Sequence, residues 1–138
     1  VLPVVLVQQL SHFNILNLRY WSIKMSVCIF CKIVEKMMPA NIVHESDTCV
    51  AFNDINPVAP NHILFIPKKH IESVDKMTEA DATIIGKMVF EMTEFARKNN
   101  FSKNGYRIVT NTGDDAGQTV FHIHFHLLAG RKMEWPPG

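Results

Sequence analysis

The stretch Q-T-V-F-H-I-H-F-H-L-L-A, residues 118–129, decides the fold of this chain. Apolar residues alternate in it with histidines, and successive side chains of a β-strand point to opposite faces of the sheet. The pattern predicts a long strand over Thr119–Ala129 with His122, His124 and His126 in a row on one face. The other face carries side chains that we expect in the core: Phe121, Ile123, Phe125, Leu127 and Ala129.

The rest of the chain predicts further strands around one main helix. Residues 48–53, 62–67 and 106–110 have the composition and turn boundaries of strands, and residues 29–35 those of a short helix or turn. Apolar residues recur at helical spacing within residues 78–100, after a polar and acidic start that is typical of a helix N-terminus. We therefore expect an α+β domain with an antiparallel sheet.

Composition limits the classes of function. The 138 residues, 47% hydrophobic and 20% charged, are enough to bury one core but too few for two domains. A net charge of +1 argues against an electrostatic surface for nucleic acid or for a membrane. Three cysteines and only short apolar runs argue against a disulfide framework and a spanning helix. We expect a cytoplasmic protein and leave a nuclear location open.

Residues 1–24 differ from the rest of the chain. They contain no acidic residue and lack the turn residues and periodicity found later, and Met25 has the place of a natural start. We predict that residues 1–24 are a disordered leader or extension and that residues 25–138 form the domain. Organelle targeting, an upstream extension and an added segment all stay open as the origin of the leader.

A row of three imidazoles fits two chemistries. Neutral imidazole is a common metal ligand, and it is also a nucleophile and proton carrier in covalent catalysis at phosphorus or an acyl carbon. The loop before the histidines favours phosphate chemistry. Gly113 and Gly117 allow backbone N–H groups to approach an anion, and Gln118 and Thr119 add side-chain donors.

Five stretches of the sequence resemble the histidine triad nucleotide-binding (HINT) branch of the histidine triad (HIT) superfamily. Besides the triad itself they are C-I-F-C-K-I (28–33), A-F-N-D-I-N-P (51–57), H-I-L-F-I-P-K-K-H (62–70) and M-E-W-P-P-G (133–138). The resemblance implies a five-stranded sheet that extends across a homodimer. It also implies a purine nucleoside phosphoramidase, which hydrolyses adenosine 5′-phosphoramidates to AMP and an amine without a required cofactor.

The resemblance implies a role for each matching residue. His124 would be the nucleophile that forms a nucleotidyl-histidine intermediate, His126 would contact the phosphate and assist proton transfer, and His122 would support the row or bind metal. The resemblance also implies three groups of nucleotide-binding residues. They are a base pocket (Ile29, Phe30, Ile33 and Phe52), a ribose contact with its adjoining wall (Asp54 and Ile55), and a phosphate loop (Asn111, Gly117, Gln118 and Thr119). Core packing is the alternative role for the base pocket, and a turn residue is the alternative role for the ribose contact.

The cysteines raise a separate question. Cys28 and Cys31 have the spacing of half a zinc site or of a redox pair. In some members of the family that the sequence resembles, these cysteines bind a structural zinc ion together with histidines at the positions of His70 and His122. The alternative is two reduced thiols without metal. Cys49, within a predicted strand, is expected to be a buried apolar filler.

Two functions stay open at this point. The first is hydrolysis of a phosphoramidate through His124. The second is a nucleotide-binding regulatory or scaffold protein whose hydrolysis is slow or incidental. A catalytic metal held by all three triad histidines is a third hypothesis. In each case we expect a homodimer, because the apolar face of the 78–100 helix would be a large exposed patch on a monomer.

Overall fold

The computed structural model describes residues 17–19 and 27–138. The expectations for residues 1–24 therefore lie almost entirely outside the described residues. The main elements are α1 Ile29–Val34, β1 Ile42–Glu45, β2 Cys49–Asn53, β3 Asn61–Pro67, α2 Ala82–Lys98, β4 Tyr106–Val109 and β5 Phe125–Ala129. Short 3₁₀ turns lie at Val74–Lys76, Glu79–Asp81 and Phe101–Lys103.

The strands form one five-stranded sheet in the order β1-β2-β3-β5-β4, and all neighbours are antiparallel. The predicted fold class, an α+β domain with an antiparallel sheet and one main helix, is confirmed. Strand β1 was not found among the residue patterns. Its burial does not alternate, since Ile42, Val43 and Glu45 are all exposed and only His44 is partly buried.

Helix α2 covers one face of the sheet. It begins after a capping box in which Thr78 and Asp81 bond each other's backbone, as the sequence predicts. Its buried side chains, Ile85, Met88, Met92 and Ala96, recur at helical spacing and pack against the sheet. Strand β2 shows how the two faces are divided between two cores. Cys49 and Ala51 belong to the core under α2, and Val50 and Phe52 belong to the core under α1.

The predicted strand over Thr119–Ala129 is wrong in its first half, because β5 begins only at Phe125. The backbone before it bends at residues 120–122 and bonds outside the sheet. The Ile123 N–H donates to the Ile71 carbonyl at 2.6 Å. Thr110 Oγ1 donates to the His124 carbonyl at 2.9 Å.

Because the segment before Phe125 bonds outside the sheet, its side chains do not all point to the face that alternation predicts. Phe121, predicted on the core face, is 52% exposed, whereas Ile123 and Leu127 are buried as expected. Alternation therefore predicts the inward side chains only from Ile123 onward. Within the described residues no helix has both the length and the hydrophobicity needed to cross a bilayer.

Candidate active site

His124 is held in one tautomer by the backbone carbonyl of His122. Its Nδ1 lies 2.8 Å from the carbonyl oxygen of His122. Because a carbonyl only accepts, Nδ1 carries the proton in the neutral ring, and the lone pair is on Nε2. The side chain is buried, and the ring of Phe30 contacts it edge-on at 5.2 Å between centroids. This arrangement presents Nε2 as a fixed nucleophile.

His126 is oriented by a fourth histidine, His62, which the sequence analysis did not single out. The Val58 N–H donates to His62 Nδ1 at 3.2 Å, so the neutral His62 ring carries its proton on Nε2. That nitrogen lies 2.8 Å from His126 Nδ1, which therefore accepts. The neutral His126 ring then carries its proton on Nε2. A backbone amide thus sets the tautomers of two rings in succession.

Burial favours the neutral form of these rings. Burial first, and then the neighbouring His124 and His62, together lower the pKa of His126 to about 4, while Asp54 opposes the shift. Burial likewise lowers the pKa of His62, again against Asp54. His126 and His62 are therefore neutral at neutral pH until an anion enters, and an entering phosphate would favour a proton on His126.

The predicted base and ribose residues line one cavity of about 440 Å³, within the range of small-ligand pockets. Asp54 lies at this cavity in an Asx turn, since Oδ1 accepts the Asn56 N–H at 2.8 Å. Its other oxygen lies 3.4 Å from His62 Nε2. Asp54 can therefore be a turn residue and line the pocket at the same time. All six predicted residues contribute to the lining, with three of them buried in the core as well: Ile29, Phe30, Ile33, Phe52, Asp54 and Ile55.

The phosphate loop differs from its prediction at Gln118. This side chain is buried, and its amide nitrogen donates to the carbonyls of Glu72 at 2.9 Å and Val120 at 3.1 Å. Its oxygen accepts the Gly113 N–H at 3.0 Å. Gln118 therefore braces the loop, and its donors are not directed at an anion as expected.

The other loop residues are arranged around this brace. Gly113 and Gly117 both have φ of +80°, a conformation that glycine adopts without strain. Asn111 is half-buried just after β4. Thr119 is exposed and lines a second cavity of about 460 Å³ together with Cys28 and His70. Among the described lining residues, Asn111, Gly117 and Thr119 do not belong to the 440 Å³ cavity.

Cys28, Cys31, His70 and His122 converge behind the triad, with one ligand atom from each within 4.8 Å of the others. His122 Nε2 donates to the Pro67 carbonyl at 2.9 Å, which leaves Nδ1 as the ligand atom. His122 Nδ1 lies 3.5 Å from both cysteine sulfurs and 3.1 Å from His70 Nδ1. Tetrahedral zinc with ordinary bond lengths separates such ligand atoms by about 3.3–3.7 Å. These four residues fit a closed zinc site.

Comparisons with known proteins agree on one family. A model of the HIT domain matches residues 35–133. An uncharacterized HIT-like protein of Synechocystis sp. is 44% identical over 110 residues, which cover 80% of this chain and 96% of that protein. A second uncharacterized HIT-like protein, from Synechococcus elongatus, matches to the same extent.

Solved structures give the same answer. The crystal structure of a HIT family hydrolase from Legionella pneumophila is 43% identical, covers 80% of this chain and 99% of its own, and has a TM-score of 0.79. A histidine triad nucleotide-binding protein from Candida albicans is 29% identical, with coverages of 79% and 82% and a TM-score of 0.68. The fold is therefore similar to that of a hydrolase and to that of a nucleotide-binding protein.

Proposed function

Since the chain belongs to the HIT domain family, we propose that it is a purine nucleoside phosphoramidase, which hydrolyses adenosine 5′-phosphoramidates to AMP and an amine. The likeness to a HIT family hydrolase supports hydrolysis, and the likeness to a nucleotide-binding protein supports a nucleotide substrate. One observation carries the proposal. The bond from His124 Nδ1 to the His122 carbonyl leaves Nε2 as a nucleophile of fixed direction.

In the first half of the reaction, His124 Nε2 attacks phosphorus and the phosphorus–nitrogen bond breaks. The product on the enzyme is a nucleotidyl-histidine, which makes the ring of His124 cationic. The His122 carbonyl accepts from Nδ1–H and stabilises that charge. The leaving nitrogen must gain a proton. His126 supplies it from Nε2, after the substrate's phosphate anion has favoured the protonated ring.

In the second half, water attacks phosphorus and the bond to His124 breaks. The now neutral His126 takes the proton of the attacking water, so that one proton cycles through His126 in each turnover. In the resting protein His62 Nε2–H donates to His126 Nδ1 at 2.8 Å. The cationic His126 ring carries a proton on both nitrogens, so this bond is released while the proton cycles through the ring. Asp54 has the place and the charge to accept the ribose hydroxyls at the 440 Å³ cavity, and the apolar walls suit the faces of a purine.

Product analysis with an adenosine 5′-phosphoramidate tests this proposal. We expect one AMP and one amine per substrate, with multiple turnovers. Tight binding of AMP without turnover would instead support the regulatory or scaffold function. The His44→Gln variant is a matched control, because His44 lies on the helix side of the sheet against Phe65 and Phe95. It should turn over at the wild-type rate.

We also propose that Cys28, Cys31, His70 and His122 hold a structural zinc ion. When bound, the ion would tie α1 to the end of β3 and to the segment before β5, and metal binding to such a site is folding free energy. Chelation should therefore lower the melting temperature while turnover survives in the remaining folded protein. Loss of turnover at unchanged stability would contradict a structural role and favour a catalytic metal.

A homodimer is the third part of the proposal. Phe90 on α2 is 60% exposed, and β4 is an edge strand of the sheet. Unpaired edges and exposed aromatic side chains are typical of surfaces that a partner covers. Sedimentation at micromolar concentration should give about twice the monomer mass for the wild type. Phe90→Lys should shift it toward the monomer, and a monomeric wild type would contradict this part of the proposal.

A further inference from the structure

A second cluster of metal-ligating side chains lies on the helix side of the sheet. His44 comes from β1, Cys49 from the start of β2 and Glu91 from the middle of α2. One ligand atom from each lies within 4.8 Å of the other two. The core around it contains Met88 and Met92 and lies on the opposite face from the triad. The proposed phosphoramidase reaction uses none of these three residues.

The distances within the cluster suit a small ion. His44 Nε2 lies 3.2 Å from Glu91 Oε1, and Cys49 Sγ lies 3.4 Å from Glu91 Oε2. In a tetrahedral zinc site with ordinary bond lengths, a nitrogen and an oxygen ligand are about 3.3 Å apart, and a sulfur and an oxygen ligand about 3.5 Å. Each Glu91 oxygen therefore lies at a ligand–ligand distance from one of the two partners, and one ligand atom of each residue lies within 4.8 Å of the other two.

The charges also suit a divalent ion. In the metal-free protein the Cys49 thiol donates to Glu91 Oε2 at 3.4 Å. A divalent cation would displace that proton, and one thiolate with one carboxylate would then neutralise the ion in a partly buried place.

An ion can reach the cluster from solvent, and neighbouring residues hold the ligands in place. The side chains of His44 and Glu91 are 30% and 15% exposed, so an ion can reach the cluster from solvent while Cys49 closes its inner side. Ser46 Oγ accepts the Cys49 N–H at 3.2 Å, and this bond fixes the turn that presents the thiol. The rings of Phe65 and Phe95 pack on His44 and limit its rotation.

We propose that His44, Cys49 and Glu91 form a binding site for one divalent transition-metal ion. Sulfur, imidazole and carboxylate together are a ligand set for zinc or cobalt(II), and three protein ligands leave a fourth position to water at the exposed edge. The ion ties β1 and β2 to α2 across the sheet edge that lies farthest from β4. The site is independent of the four-residue cluster behind the triad.

The test is metal stoichiometry of the metal-free full chain after titration with cobalt(II). The wild type should bind one equivalent more than the His44→Phe variant, which keeps an aromatic ring against Phe65 and Phe95 but removes the ligand. In the His44→Phe variant, the affinity of this site for cobalt(II) should fall by more than about 100-fold. Losing even a hydrogen-bond partner of a metal ligand lowers metal affinity by about 10- to 100-fold. The thiolate-to-cobalt charge-transfer absorbance of His44→Phe should be lower than that of the wild type by the contribution of one thiolate, that of Cys49.

Two further variants keep the test decisive. Glu91→Gln keeps the shape of the side chain and should also lose one equivalent, whether or not His44→Phe folds. Glu94→Gln is the matched control, because Glu94 lies exposed on the same helix and pairs with Arg97. It should bind as the wild type does. Equal stoichiometry in the wild type, His44→Phe and Glu91→Gln would overturn the proposal and leave the cluster as a hydrogen-bonded network. Turnover should be the same in all three.

Discussion

The two faces of the sheet hold their buried polar side chains in different ways. On the triad face, His124 and His122 donate to backbone carbonyls, and His62 accepts from a backbone amide. On the helix face, the His44, Cys49 and Glu91 side chains bond one another. A backbone hydrogen-bond partner has a fixed direction and does not change its protonation state. An ionisable side-chain partner can gain or lose a proton. His124 and His62 are thus each held in one tautomer by the backbone, whereas the cluster on the helix face can exchange a proton for a cation.

The largest expected difference between the faces is in catalysis. His124→Ala should lower kcat by several powers of ten while AMP affinity changes little, because the nucleophile acts at the chemical step. His44→Phe, on the other face, should leave kcat unchanged. Steady-state kinetics and AMP titration of both variants provide the comparison. Equal kcat losses in the two variants would remove the distinction between the faces.

A smaller effect is expected within the triad face itself. Asp54→Ala should raise KM by the equivalent of about 1–3 kcal/mol of lost hydrogen bonding to the ribose, with kcat changing less. Asp54→Asn is the matched variant that keeps the Asx turn to Asn56. A 2′,3′-dideoxy substrate should be nearly insensitive to either change. A kcat loss as large as that of His124→Ala would contradict the ribose role.

The smallest expected effect is on stability as a function of pH. The pKa of His126 is lowered to about 4 and that of His62 is lowered as well, so the unfolded chain binds more protons than the folded one below pH of about 6.5. Their contribution is complete above that pH and is lost as pH falls toward about 4. Denaturant unfolding at pH 7 and 5 should differ by about 1–2 kcal/mol because of His126, and His62 should add to the difference in the same direction.

His126→Gln separates this contribution from general acid unfolding. The variant should be less sensitive to pH over the same interval, because one proton-linked group is removed. Melting curves of the wild type and the variant between pH 7 and 5 make the comparison. An unchanged pH slope in His126→Gln would show that the buried pair does not carry the effect.

Residue patterns predict the parts of the site that depend on one segment. Alternation within residues 122–126 identifies the histidine row, and helical spacing identifies the face of α2. The resemblance adds the base pocket and the ribose contact with its wall, whose six residues share one cavity. Patterns of this kind need no knowledge of which strands are neighbours.

Two contacts that depend on the packing of distant segments were not predicted. His62 becomes important only because β3 pairs with β5, which sets Leu64 opposite His126 and brings the two rings together. His44 and Glu91 meet across 47 positions of sequence. The predicted strand before Phe125 failed for the same reason, since its backbone partners lie at Ile71 and Thr110 outside the sheet.

Capture of the covalent intermediate tests the central claim most directly. The wild type is mixed in excess with an adenosine 5′-phosphoramidate, quenched without acid because a phosphorus–imidazole bond is acid-labile, and analysed by mass spectrometry of the intact chain and its peptides. The account predicts one adenylyl group per chain at His124, and none in His124→Ala. Rapid turnover with no adduct, or an adduct on His126 or His122, would contradict it.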